Sequence, residues 1–238
     1  MERRDFIGFC VSSCAAAGLG LSAEALASAD ARPRAYARTL LTDASGRPLQ
    51  ARQLAVGENY VFHYPFESTP CFLLNLGKPT TRNVALKTRE GAAYQWPGGV
   101  GPQRAIVAYS AICSHQLTYP TRQISFISYR ERSTAPHGAR PSMIHCCSEH
   151  SEYDPAAGAR VMGGPAPQPL SAILLDYDAA TDQLHATGTL GGEMFNQFFS
   201  KFEMRLALEH GGGRAQQRVS GRSAVTALGQ FCKQQVKC

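Results

Sequence analysis

The chain has 238 residues, of which 44% are hydrophobic and 18% are charged, so it holds enough apolar material for one sizeable core. Its net charge is +6, but no run of Lys and Arg alternates with aromatic residues, which argues against nucleic-acid binding. The 22 glycines and 14 prolines are spread along the whole chain, a distribution typical of a loop-rich β protein and not of a helical bundle.

The first 31 residues predict an export signal. Arg3 and Arg4 are followed by an acidic residue and by an apolar run of small residues, 6–23, which resembles a twin-arginine signal. We therefore expect the folded part to be periplasmic and soluble after cleavage of this segment. The alternative is an uncleaved segment that attaches the protein to the inner membrane, because 18 residues are just enough to span a bilayer.

Residues 32–50 are polar and predict a linker or a first turn. After them, short apolar or alternating runs separated by Pro-Gly signals predict one antiparallel β domain over residues 51–210. The predicted strands lie within residues 59–66, 71–77, 83–87, 104–110, 123–129, 172–178 and 183–188.

The end of this domain changes its periodicity. Phe195, Phe199 and Phe202 have helical spacing and predict a short helix, whereas residues 202–208 alternate and predict a strand after it. Residues 211–238 predict a C-terminal tail that begins with a flexible connection. Its two cysteines, Cys232 and Cys238, could pair with each other or elsewhere.

Two Cys/His pairs carry the candidate chemistry. Cys113 and His115 follow one apolar run, and Cys147 and His150 follow another. Two thiolates and two imidazoles fit either a tetrahedral zinc site or a 2Fe–2S cluster that has thiolates on one iron and imidazoles on the other.

The residues around these pairs favour the cluster. Residues 104–172 resemble the cluster-binding region of the Rieske iron–sulfur protein family, above all the stretch "HSEYDPAAGARVMGGPAPQPL", which is similar to that family's second loop and its proline-rich third loop. The resemblance implies an all-β, Rieske-type antiparallel β-sandwich with a small cluster-binding subdomain and a short C-terminal helix/strand extension. It also implies one 2Fe–2S cluster per chain.

The resemblance assigns the ligands residue by residue. It implies that Cys113 and Cys147 bind the inner iron, and that His115 and His150 bind the outer, solvent-facing iron. The Cys-x-x-His spacing selects Cys147 over its neighbour Cys146. Because neighbouring side chains on an extended chain point to opposite faces, we expect Cys146 to pack away from the metal.

The sequence departs from the family's pattern in three places. The disulfide that joins the two loops in cytochrome bc members would need cysteines at Thr118 and Glu149, and neither is a cysteine. No glycine follows the second histidine, which leaves Ser151 as the expected hydroxyl donor to a bridging sulfide, with Glu152 as the competing occupant of that position. Tyr153 is the expected donor to a ligand sulfur. The segment between the two pairs is also longer than usual.

The resemblance implies one-electron transfer, as an electron carrier or as the small subunit of a redox complex, and not a stand-alone catalyst. The expected partner is a redox protein, either a cytochrome or a subunit of a molybdenum or quinol oxidoreductase. An alternative is the subunit of a quinol-oxidising cytochrome bc-type complex, and a structural zinc protein is a further alternative. A Rieske oxygenase is disfavoured, because His185 and His210 are the only histidines after the loops.

Overall fold

The computed structural model describes residues 31–131 and 141–238. The predicted signal or anchor segment, residues 1–30, and part of the segment between the two Cys/His pairs, residues 132–140, lie outside these ranges. No helix within the described ranges is long and apolar enough to cross a membrane.

Strands dominate the described residues, which confirms the predicted all-β class. The strands are β1 (Arg34–Thr42), β2 (Tyr60–His63), β3 (Pro70–Asn75), β4 (Val84–Lys87), β5 (Ala93–Trp96), β6 (Ile106–Ser110), β7 (Ile124–Ser125), β8 (Ile127–Arg130), β9 (Met143–Cys146), β10 (Ser151–Asp154), β11 (Arg160–Gly163), β12 (Ala172–Asp178), β13 (Gln183–Leu190), β14 (Gly221–Ala224), β15 (Thr226–Ala227) and β16 (Gln234–Gln235). The helices are α1 (Phe195–His210) and α2 (Leu228–Phe231), with 3₁₀ turns at Ala51–Gln53 and Pro155–Ala157.

One sheet of eight strands forms the base of the fold, in the order β14-β1-β13-β12-β6-β3-β2-β15. Its edge strand β14 returns to β2, where the hydroxyl of Ser223 accepts from the backbone N–H of His63 at 3.2 Å and donates to the carbonyl of His63 at 2.9 Å. The sheet therefore nearly closes on itself.

The central strands β3 and β6 explain the continuous apolar runs in the sequence. Phe72 and Leu74 face one core cluster while Cys71 and Leu73 face another, and β6 divides its side chains in the same way. A strand buried on both faces has no polar side, so its sequence reads as an unbroken apolar run.

A separate sheet of four strands, in the order β11-β10-β9-β8, carries the second Cys/His pair. The 3₁₀ turn at its far end receives a hydrogen bond from the large sheet, where the Tyr109 hydroxyl donates to the carbonyl of Pro155 at 2.8 Å. The core cluster between the two sheets includes both Cys113 and Cys146. The first Cys/His pair follows β6 of the large sheet, so the two pairs meet where the sheets face each other.

The predicted strand after the short helix is wrong, because α1 continues through residues 202–208 to His210 with one non-helical residue at Phe202. The apparent alternation included Met204 and Leu208, and both are more than 80% exposed. The buried residues Phe195, Phe199 and Leu206 instead follow helical spacing, and burial of this stripe stabilises the helix.

The chain segments on both sides of the predicted domain belong to its sheets. Residues 34–42, expected as a linker or turn, form β1 between β14 and β13. The predicted tail supplies β14, β15, α2 and β16, of which β16 pairs with β7. Backbone pairing with existing strands stabilises these polar stretches, which is why their side-chain pattern did not reveal them.

Candidate metal centre

The first loop, residues 113–118, leaves the end of β6 and folds back on itself. The backbone N–H of Cys113 donates to the carbonyl of Thr118 at 2.8 Å, and the N–H of Leu117 donates to the carbonyl of Cys113 at 2.9 Å. These bonds close the loop and leave the Cys113 side chain fully buried, whereas the side chain of His115 stays 28% exposed. The loop thus presents a thiol inward and an imidazole towards solvent.

The second loop, residues 147–150, joins β9 to β10 in a hairpin. Cys146 pairs directly with Ser151, and Ile144 pairs with Tyr153. Residues opposite each other in a strand pair share one face of the sheet. All four side chains are fully buried, so Cys146 is directed into the core on the same side as Ser151 and Tyr153.

The predicted ligand Cys147 is placed elsewhere. It forms a disulfide with Cys238, and the guanidinium of Arg130 donates to its sulfur at 2.7 Å. Arg130 also donates to the carbonyl oxygens of Val236 and Cys238, so β8 holds the end of the chain against the second loop. A disulfide-bonded sulfur is not a free thiolate for a metal, so in this structure Cys113 and Cys147 do not form a pair of free thiols.

The thiol partner of Cys113 is instead Cys146, the cysteine expected to pack away. The Cys146 thiol donates to Cys113, and this hydrogen bond lowers the pKa of Cys113 to about 6. The Tyr153 hydroxyl and the N–H groups of His115 and Gln116 act in the same direction, whereas burial opposes them. The same contact and burial raise the pKa of Cys146. The contact therefore shifts the pKa values of the two thiols in opposite directions, which favours ionisation of Cys113 over that of Cys146.

Tyr153 contacts the first loop. Its hydroxyl lies 3.3 Å from Sγ of Cys113 and 3.1 Å from Oγ of Ser114. Ser114 donates onward to the carbonyl of Gln168 in the third loop, residues 164–169, at 2.7 Å. This chain of hydrogen bonds joins all three loops around the sulfur of Cys113.

The third loop presses closely against the second loop. Gly164 has φ +80°, and a Cβ added to it would lie 2.4 Å from the carbonyl oxygen of His150 and 2.6 Å from Cα of Ser151. Only a residue without a side chain permits this approach at this backbone conformation. The third loop therefore fixes the backbone of residues 150 and 151.

The open end of the site holds one predicted ligand and one unexpected neighbour. Nδ1 of His115 lies 3.9 Å from Oε2 of Glu149, whose side chain is 38% exposed. His150, the predicted partner, follows with φ +57° and an exposed side chain. Among the described residues, the carboxylate that lies within 4 Å of the His115 imidazole is thus that of Glu149.

Two polar atoms of the site are buried without a hydrogen-bond partner in the described part of the chain. They are Nδ1 of His115 and Oγ of Ser151. An unsatisfied buried polar atom costs about 1–3 kcal/mol, so each indicates a partner that the polypeptide itself does not supply. Because Ser151 lies directly opposite Cys146, a group between the thiols and His115 could satisfy both atoms.

The candidate donors form two pairs. The thiols of Cys113 and Cys146 form one pair inside, and His115 and Glu149 form another pair nearer the surface. No three His, Cys, Asp or Glu side chains of the described ranges converge closely enough to hold a single metal ion.

Sequence reasoning missed four residues around this site, namely Arg130, Cys146, Glu149 and Cys238. A signal for Cys146 was present. Ser151 and Tyr153 are alternate residues of one buried strand face, and once the register of the hairpin is known they show which residues of the partner strand face inward. No sequence signal connected Cys147 with a cysteine at the end of the chain.

No family model matches the chain. Among solved structures, it is similar to the soluble domain of the Rieske protein II (soxF) from Sulfolobus acidocaldarius, with 25% sequence identity and a TM-score of 0.43. The similarity covers 65% of this chain and 78% of that one.

Proposed function

We propose that this protein is a one-electron carrier that binds a Rieske-type 2Fe–2S cluster between its three loops. The observation that carries the proposal is the pair of unsatisfied buried atoms, Nδ1 of His115 and Oγ of Ser151, beside the free thiols of Cys113 and Cys146. When bound, such a cluster supplies a centre that gains one electron from a donor protein and passes it to an acceptor protein.

The protein's own residues account for each requirement of such a site. Cys113 and Cys146 supply two buried sulfurs, and the Tyr153 hydroxyl lies within hydrogen-bond distance of Cys113 Sγ, at 3.3 Å. Ser151 holds a hydroxyl available for a bridging sulfide. Hydrogen bonds to sulfur stabilise the more negative reduced state, so these two donors would raise the reduction potential.

His115 gives the site its contact with the outside. Its partly exposed ring lies at the surface while its Nδ1 is buried, which provides a short path from a docked redox partner to the buried sulfurs. We propose a periplasmic role, soluble or attached through the N-terminal segment, next to a cytochrome or an oxidoreductase subunit. This localisation and these partners rest on the sequence pattern of residues 1–31, outside the part that the structure describes.

Metal analysis and electron paramagnetic resonance test the proposal. The chain expressed without residues 1–31, and reconstituted anaerobically with iron and sulfide, should hold about two irons and two sulfides per chain and give a Rieske-type signal after reduction. The double variant Cys113→Ser, Cys146→Ser provides the colourless control. A well-folded wild-type protein that contains zinc only, or a Cys113–Cys146 disulfide after reconstitution, would refute the cluster.

A redox titration at several pH values separates the two electron-transfer roles. A quinol-oxidising subunit needs a potential that falls with rising pH near neutrality, because its electron uptake is coupled to a proton. A pH-independent potential between pH 6 and 9 would leave the soluble carrier or small-subunit role.

A further inference from the structure

The imidazole of His115 and the carboxylate of Glu149 lie close together without a direct hydrogen bond. A histidine and a carboxylate that pair directly come within hydrogen-bond distance, at about 2.7–2.9 Å. Here Nδ1 of His115 and Oε2 of Glu149 are 3.9 Å apart, and the imidazole nitrogen has no other partner among the described residues. The two atoms lie side by side without bonding to each other.

That separation is close to the spacing of two ligand atoms on one tetrahedral metal. Metal–nitrogen and metal–oxygen bonds of about 2.0–2.1 Å at a tetrahedral angle place the two ligand atoms roughly 3.4 Å apart. The observed 3.9 Å requires a movement of only about half an ångström to reach it. Imidazole and carboxylate are both established ligands of protein-bound iron.

The backbone of the second loop explains why Glu149 takes this place instead of His150. At φ +57° the residue 150 backbone is left-handed, and the close approach of Gly164 to its carbonyl holds it there. The exposed His150 side chain leaves the loop towards solvent. The N–H of Glu149 donates to the carbonyl of Cys146 at 3.4 Å, and its carboxylate lies beside His115.

We propose that Glu149 is the fourth cluster ligand, so that the set is Cys113, Cys146, His115 and Glu149 in place of a second imidazole. This inference rests on the proposed function and refines it. A carboxylate brings one more negative charge to the outer iron than a neutral imidazole brings. The reduced state is then disfavoured, and the centre works at a lower potential than one with two histidines.

Four single variants of the reconstituted chain test the assignment: Glu149→Ala, its neighbour His150→Ala as the matched control, and the pair Cys146→Ser and Cys147→Ser. Iron and sulfide content, the visible circular dichroism and the paramagnetic signal of the reduced protein are measured, with far-ultraviolet circular dichroism as the check on folding. We expect Glu149→Ala and Cys146→Ser to lose at least five-fold in cluster content. His150→Ala and Cys147→Ser should keep the wild-type content and signal.

A fifth variant, Glu149→His, gives a readout that a purely structural glutamate would not move. It should keep the cluster, shift its potential upwards and change its paramagnetic signal, because a neutral ligand replaces an anionic one. Cluster loss in His150→Ala, with or without loss in Glu149→Ala, overturns the inference, and so does full retention in Glu149→Ala. An iron-free wild-type chain refutes the proposed function instead, so the two failures are distinguishable.

Discussion

Removing the disulfide between Cys147 and Cys238 should destabilise the protein substantially. The bond joins residues 91 positions apart, and the chain-entropy model gives about 4–5 kcal/mol for a closed loop of that length. Native contacts of the tail, such as the Val236 N–H donating to the Ser125 carbonyl at 2.9 Å, remain without it. Because engineered and native disulfides often contribute less than the model predicts, we expect Cys238→Ser to lower the free energy of unfolding by about 2–4 kcal/mol.

Urea denaturation of the oxidised protein measures this loss. Cys232→Ser is the matched control, because it removes a cysteine from the same tail segment without touching the cross-link and keeps a donor for the carbonyl of Gln234. It should stay within about 1 kcal/mol of the wild type. A reductant should bring the wild type to the stability of Cys238→Ser. Equal stability of the oxidised wild type and Cys238→Ser would contradict the reasoning.

Three further changes test other parts of the structure. Tyr153→Phe removes the hydroxyl beside Cys113 Sγ, and it should cost about 1–2 kcal/mol in urea unfolding and lower the potential of the reconstituted centre in a redox titration. Gly164→Ala should destabilise by more than 3 kcal/mol in thermal melts because its Cβ has no room, whereas Gly212→Ala, which has open space, should stay within about 1 kcal/mol. Burial lowers the pKa of His63 from 6.5 to about 4, and the nearby cationic groups of His210 and Arg122 contribute to this shift. Between these two pH values the unfolded state binds more protons than the folded state. The free energy of unfolding therefore falls as the pH drops from 6.5 to 4. At 1.36 kcal/mol for each pKa unit, the loss of stability is about 3 kcal/mol, and the partial exposure of His63 reduces it to about 2 kcal/mol. His63→Gln should therefore flatten the stability profile from urea unfolding between pH 4 and 6.5.

The parts of the fold that could be predicted from sequence are those in which local pattern and tertiary burial agree. The strands β3 and β6 read correctly because both of their faces are buried and the apolar run is continuous. Helix α1 was predicted only in its first half, since exposed Met204 and Leu208 imitate an alternating strand. Strand β1 was missed because its pairing with β13 and β14 depends on backbone groups that a residue pattern does not display.

The same limit of sequence patterns explains why the structure places Cys146, and not the predicted Cys147, beside Cys113. Spacing along the chain favoured Cys147, because Cys-x-x-His fits the expected pair, and spacing says nothing about which face a strand residue occupies. The register of the strand pair determines the face, since a shift by one residue exchanges the two faces. With Cys146 opposite Ser151, the inward sulfur is fixed. The fourth ligand that we propose lies one residue earlier in the same way, at Glu149 and not at His150.

Cys147, which does not face the site, forms a disulfide instead. In the described part of the chain, no disulfide joins residues 113–118 to residues 147–150, because Cys113 is free and Cys147 pairs with Cys238. The disulfide of Cys147 with Cys238 restrains the second loop from the other side. Strand β8, which lies in the long segment between the Cys/His pairs, carries the Arg130 that holds the chain end in place. Cys146 therefore faces the site, while its neighbour Cys147, together with Cys238 and Arg130 of β8, anchors the second loop.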